Sequence, residues 1–385
     1  MPHYRKIGSI PRKRHIAHRK SDGSRLVEEL FGQDGFSAGS ALLYHRHSPS
    51  ALVGIESVDV NVPEFHLDKP LAPRHLRTGM LTQVIDLALN RHVLLGNADV
   101  TLSWAETNQT SSLYRNASCD ELVYVHNGTG NLETIFGSMA VKEGDYVVIP
   151  KGTTLRWRPD NKLGLLFIES RGHVRTPHRH LSKSGQFLES SPYSERDLRA
   201  PEGPLIVDGE NIAVLIRHHN GISRHIYQHH PFDVEGWDGS LYPWALSIHD
   251  FEPIVGRIHQ PPPVHQTFEG DGFVVCSFVP RPLDFEPDAV KIPYYHSNSD
   301  SDEVLFYSAG NFASRVGSGI GVGSISFHPA GFVHGPQPGS YESSVDKNST
   351  DELAVMLDTF SPLAVAESGR SISDPNYAWS WSKGQ

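Results

Sequence analysis

Short apolar runs closed by turn residues recur along the chain. GDYVVIP, LGLLFIES and GFVVCSFVP each place several hydrophobic residues in a row between Gly, Pro, Asp or Ser, a pattern of buried β-strands rather than of helices, whose apolar positions recur every three to four residues. The 34 glycines and 27 prolines supply the breaks. Helical periodicity is confined to two pieces, SRLVEELFG near the N-terminus and SERDLRAPEG at 194–203. The chain is therefore expected to be mainly β, with PLIVDGENIAVLIRH and SLYPWALSIHDF as further strand-bearing stretches.

One stretch of this pattern occurs twice. Glu303 and Gly310 are seven positions apart, as are Glu121 and Gly128; Gly323 and Pro329 are six apart, as are Gly144 and Pro150; Pro329 and His334 are five apart, as are Pro150 and Leu155. The glycines suit turn conformations closed to other residues. The repeat divides the chain into an N-terminal extension (1–78), a first β-barrel (79–175), a connecting β segment (176–255) and a second barrel with a tail (256–385).

The second copy offers His296, Glu303 and His334, two imidazoles and one carboxylate, the donor set of facial-triad non-heme Fe(II) sites. In the first copy Tyr114 and Leu155 stand where the histidines would be, so one barrel is expected to bind metal and the other not. Asp302 competes with Glu303, but consecutive strand residues face opposite ways, and the step to glycine matches Glu303 with Glu121. Structural zinc is disfavoured, because no cysteine lies nearby.

Charge and composition narrow the partners. A formal charge of -10 argues against nucleic acid. Cys119 and Cys276 are too few for a disulfide framework. No apolar run is long enough for a membrane span, and the basic start MPHYRKIGSIPRKRHIAHRK lacks a secretory apolar stretch, so a cytoplasmic, membrane-free protein is expected. His218, His219, His225, His229 and His230 read as solvated surface or a subunit contact, and RGHVRTPHRH as a basic surface patch or a lining of the domain junction.

The two motifs resemble those of the cupin superfamily: His296, Asn298, Glu303 and Gly310 form the first, with Asn in place of a second His, and Gly323, Pro329, Gly331 and His334 the second. More specifically, RIHQPPPVHQTF, PYYHSNSDSDEVLFYSAG, SFHPAGFVHGPQPG and ELAVMLDTFSPLAVAESG, in that order, are similar to the homogentisate 1,2-dioxygenase family. The resemblance implies a bicupin of two jelly-roll barrels, Fe(II), O2 and opening of homogentisate to maleylacetoacetate in tyrosine and phenylalanine catabolism, by a homo-oligomer (trimer or hexamer). It implies His296, Glu303 and His334 as iron ligands, Tyr295, Asn298 and His328 as substrate contacts, and His259 or His265 as the proton-transfer residue. Phe312 stands where the family carries a substrate-contacting tyrosine. That departure keeps two other expectations open: an Fe(II) bicupin acting on gentisate or another hydroquinone acid, and a bicupin that binds without catalysis.

Overall fold

The computed structural model describes residues 3–315 and 317–382. The three apolar runs form strands: GDYVVIP contains Asp145–Ile149, LGLLFIES closes Thr154–Ser170, and GFVVCSFVP contains Phe273–Phe278. The first barrel is built on the antiparallel pair Asp120–Thr134 and Thr154–Ser170, flanked by Asp145–Ile149 on one side and by Val100–Thr107 and His92–Gly96 on the other. The second is a sheet in the order Gln266–Gly270, Phe273–Phe278, Leu353–Thr359, Asp302–Ala309, Ser324–His328 and Arg74–Arg77. The chain is a mainly β bicupin.

Strand alternation shows why the apolar runs are unbroken. Val123, Val125, Val147, Leu165 and Phe167 fill the first barrel, whereas Leu122, Tyr124, Tyr146, Leu166 and Ile168 join a core shared with Val304, Phe306, Ile325 and Leu357 of the second. Both faces of these strands are therefore buried, one inside the barrel and one between barrels. Hydroxyl pairs stitch this interface: Tyr124 with Ser308 and Tyr146 with Ser277, both at 2.8 Å. The second barrel's own apolar interior is small, with Leu305, Tyr307, Phe312 and Met356 among its members. The rest of its interior is open.

The stretches set apart as 1–78 and 176–255 are woven into the barrels. Arg74–Arg77 completes the second barrel's sheet beside Ser324–His328, while Ala364–Ala366 crosses back to pair with His92–Gly96 of the first. From the connecting segment, Trp244–Ser247 pairs with Asp145–Ile149, and Glu210–His218 runs parallel to Tyr114–Asn116. Unpaired strand edges leave backbone groups unsatisfied, so edges are covered by whichever segment reaches them. Arg175 likewise bridges to Glu269 of the second barrel, so RGHVRTPHRH lies at the junction.

Neither helical expectation holds. SRLVEELFG forms the strand Val27–Gly32, paired residue by residue with Ser40–His45 in a four-stranded sheet with Val234–Gly239 and Arg5–Gly8. An isolated helix this short is marginal in water, and the ladder outweighs it. At 194–203 only the 3-10 turn Glu195–Asp197 forms, capped by Ser194, before the strand Leu198–Arg199. No helix among the described residues is long and apolar enough to cross a membrane.

Buried histidines away from the barrel mouth give the fold a pH dependence. Burial holds His75, His126 and His230 down to about 4, against about 6.5 unfolded. Because their folded pKa values are depressed, the unfolded chain takes up protons first as pH falls, and stability is lost between about 6.5 and 4. His45 has the opposite sign: burial lowers its pKa, but hydrogen bonds with Asp233 and Glu29 override this and raise it to about 9. Its contribution is complete below about pH 6.5 and lost as pH rises through 9. Urea midpoints measured from pH 4 to 9 should peak near pH 6.5; a flat profile contradicts this assignment.

Candidate metal centre

His296 and His334 meet across an isolated antiparallel bridge, each amide donating to the other's carbonyl at 2.8 and 2.9 Å. The corresponding residues of the first barrel, Tyr114 and Leu155, are paired in the same way. Glu303 comes in from the neighbouring strand, on the inward face with Leu305 and Tyr307. One donor atom from each of His296, Glu303 and His334 lies within 4.8 Å of the others, the only such group among the described residues. Asp302 points elsewhere: its two oxygens accept the amides of Ala330 at 2.8 Å and Leu363 at 2.7 Å. Asp120 in the first barrel does the same for Lys151 and Val174, at 2.9 and 3.0 Å.

Hydrogen bonds orient the imidazoles. Nδ1–H of His334 donates to the Phe332 carbonyl at 3.0 Å and that of His296 to the Tyr294 carbonyl at 3.2 Å. Each Nε2 is thereby presented to Glu303, at 3.1 and 3.3 Å. Such a separation between a lone pair and a carboxylate calls for a cation or proton between them, and backbone-anchored Nδ1–H groups are the usual support of ligating histidines. The donor set fits a divalent ion. Burial raises the pKa of Glu303, but hydrogen bonds with His296, His328 and His334 outweigh it, so its carboxyl lies well below the usual range.

His328, read from sequence as a substrate contact, stands behind the ligands instead. It is fully buried and stacked on His334 at 3.9 Å. Burial lowers its pKa to about 3, so it is neutral. Nδ1–H donates to Glu303 at 3.1 Å and Nε2 accepts the Tyr377 hydroxyl at 3.0 Å. It orients Glu303 and is shielded from any substrate.

A cavity of about 590 Å³ opens over His296 and Glu303, with His259, His265, Asn298, Arg281, Arg315 and Asp358 in its wall. Two other expected contacts are absent from that wall. Tyr295 is 57% exposed, its ring against Gly335, and Phe312 is buried edge-on to Tyr307 at 4.8 Å. The turn after Gly310 carries Phe312 into the barrel's apolar interior. Arg281, Arg315 and Asp358 escaped the sequence reading. Asp358 is opposite Glu303 in strand register, as Glu169 is opposite Glu121, a relation visible only once the strands are paired. Burial and neighbouring Glu303 push Asp358 up to about 7.

In the first barrel the equivalent place is taken by an arginine. Nη1 of Arg91 contacts Glu121 at 2.8 Å and Glu169 at 3.3 Å, and Nη2 donates to the Tyr114 hydroxyl at 2.8 Å. The Tyr114 hydroxyl in turn donates to Glu121 at 2.8 Å. Nη2 of Arg217 also contacts Glu169, at 3.3 Å, so guanidinium groups neutralise the carboxylates there. Correspondence extends to the turns: Gly128 and Gly310 have φ of 88° and 85°, and a Cβ on either would lie 1.9 or 2.0 Å from a carbonyl oxygen.

The histidine cluster also changes meaning. His225, His229 and His230 join His45 and His47 around a second cavity of about 450 Å³. His47 and His229 stack at 4.0 Å. The partners lie more than 170 residues away in sequence, so no local spacing announces them.

Residues 80–248 match the family model "Homogentisate 1,2-dioxygenase N-terminal". A candidate dioxygenase of Saccharolobus solfataricus is 40% identical, with 99% of each chain covered. The homogentisate 1,2-dioxygenase of Emericella nidulans is 24% identical over 75% of this chain and 69% of its own, and that of Homo sapiens 23% identical over 77% and 72%.

Proposed function

Since the chain belongs to the homogentisate 1,2-dioxygenase family, we propose that this oxygenase is an Fe(II)-dependent dioxygenase opening the ring of a small hydroquinone acid, with homogentisate as substrate and maleylacetoacetate as product. The observation that carries the reading is the convergence of His296, Glu303 and His334, two of them lining a cavity, in one barrel and not in its repeat.

Held by His296, Glu303 and His334, Fe(II) would supply Lewis acidity toward the substrate and electron transfer to O2. The chain's residues do the rest. Asn298, two residues after His296, offers an amide to a ring hydroxyl. His259 sits half-exposed at the rim, edge-on to the Tyr294 ring at 5.3 Å, with Asp284 3.9 Å from Nδ1. That position suits taking a hydroxyl proton and returning it from solvent. His328 and Tyr377 keep Glu303 aimed at the metal. A soluble homo-oligomer is part of the proposal.

Phe312 favours a second reading, an acid such as gentisate, because no tyrosine hydroxyl is available at that position. Oxygen uptake after anaerobic Fe(II) loading separates the two. Uptake with homogentisate, one O2 per ring opened, is expected. Uptake with gentisate alone overturns the substrate assignment, and iron binding without uptake on any hydroquinone acid overturns the enzyme assignment.

A further inference from the structure

Four cationic side chains reach the cavity, and two of them, Arg315 and Lys291, are spoken for. Arg315 donates from Nε to the Tyr307 hydroxyl at 2.8 Å and from Nη1 to the Gly335 carbonyl at 2.7 Å. Lys291 donates to the Asp284 carbonyl, and Lys347 is half-exposed, a single flexible ammonium without the planar fork of an arginine. Arg281 differs. It is half-buried beside the Phe278 ring, its guanidinium carbon 5.7 Å from the centroid, and Nη1 donates to the Val279 carbonyl at 3.0 Å. Among the described residues no carboxylate pairs with it. A guanidinium offers five N–H donors in a planar fork, so most of its capacity is unspent where desolvation makes an unpaired charge costly.

Next to it is His265, 8% exposed, with its ring 4.7 Å from that of Phe278 and its Nδ1 buried without a hydrogen-bond partner. Burial first, and Arg281 second, hold its pKa down to about 3. It is a neutral imidazole, which can donate from this atom to a carboxylate only as the Nδ1–H tautomer. The same wall carries the carboxylates of Glu303, Asp358, Asp351 and Glu352. Glu352 acts on Arg281 through space but forms no ion pair with it among the described residues, so the remaining donors of Arg281 stay unused.

We infer that Arg281 and His265 form a clamp for the carboxylate of the aromatic acid, so that the acid group docks there while the ring oxygen faces His296, Glu303 and His334. This rests on the reading that the cavity takes such an acid, and it assigns the acid group to protein donors rather than to the metal. An arginine fork matches a carboxylate bidentately. His265 is then a binding residue, which leaves His259 as the imidazole for proton transfer.

The test uses 2-hydroxyphenylacetate, which lacks the second ring hydroxyl, and its neutral amide. Each is titrated calorimetrically into the full Fe(II)-loaded chain without O2, with iron content measured for every variant. Wild type should bind the acid at least tenfold more tightly than the amide. Arg281→Gln should weaken the acid tenfold or more, leave the amide and the iron content unchanged, and raise KM for the reactive acid more than it lowers kcat. Arg281→Lys, which keeps the charge but not the fork, should fall between, and serves if the glutamine variant does not fold.

Equal affinity of wild type for acid and amide, no acid binding at all, or acid affinity unchanged in both Arg281 variants each overturns the clamp. Oxygen uptake keeps the two claims apart. Tight acid binding lost in Arg281→Gln, with no uptake by wild type, sinks the dioxygenase reading and leaves the clamp standing; normal uptake with unchanged KM in Arg281→Gln does the reverse.

Discussion

His334→Ala should lose iron and ring-opening turnover together while the barrels stay folded. Changes to residues that merely support a metal ligand cost about 10–100-fold in affinity or activity, so removing one of three ligands should exceed that range. Iron content after anaerobic loading and desalting, O2 uptake and an unfolding curve form the measurement. Retention of one iron per chain with turnover intact rules out His334 as a ligand. His328→Gln is the control, because His328 touches Glu303 and His334 but not the cavity. It should fall within the supporting range, with turnover reduced and iron partly kept. If the two variants behave alike, the distinction between ligand and support is wrong.

Arg91→Met should leave iron content unchanged and destabilise the chain by about 3–5 kcal/mol, the usual cost of stripping one partner from a buried ion pair. Glu121 is 1% and Glu169 6% exposed, so loss of the guanidinium strands Glu121 in the barrel interior and leaves Glu169 with Arg217 alone, at 3.3 Å. The Tyr114 hydroxyl and the Asn116 amide, 3.1 Å from Glu121 and 3.0 Å from Glu169, stay but carry no full charge. Urea unfolding reads the loss, and adding Glu121→Gln to Arg91→Met should recover part of it. An unshifted curve for the single variant shows that Arg91 is not what holds these acids. In electrostatic terms the two barrels are alternative answers to one problem. Carboxylates pointing into a barrel need a cation, supplied in one by an arginine 30 residues upstream and in the other, on the proposed reading, by a bound metal.

Part of this was legible in local pattern. The runs around Asp145–Ile149 and Phe273–Phe278 declare themselves as strands, because side chains alternate with a period of two whatever the strand packs against. The same parity separates Glu303 from Asp302: one shares a face with Leu305 and Tyr307 in the barrel, the other turns to cap the Ala330 and Leu363 amides. SRLVEELFG shows the limit. Its spacing suits a helix turn, yet nine residues hold little intrinsic helical stability, and pairing with Ser40–His45 decides the outcome.

By itself, then, the sequence determined the strands, the repeat and the three donors that set one copy apart, since each depends on residue type at fixed short spacing. Only the tertiary structure decided what those donors face: Arg91 between Glu121 and Glu169, His328 behind His334, Phe312 turned into the interior, Arg281 and Asp358 on the cavity wall, and His45 beside His230. Those relations depend on strand register and edge closure, Arg91 lying 30 residues from Glu121 and His45 185 from His230. Burial and charge compensation act through space, so neither leaves a periodic trace along the chain.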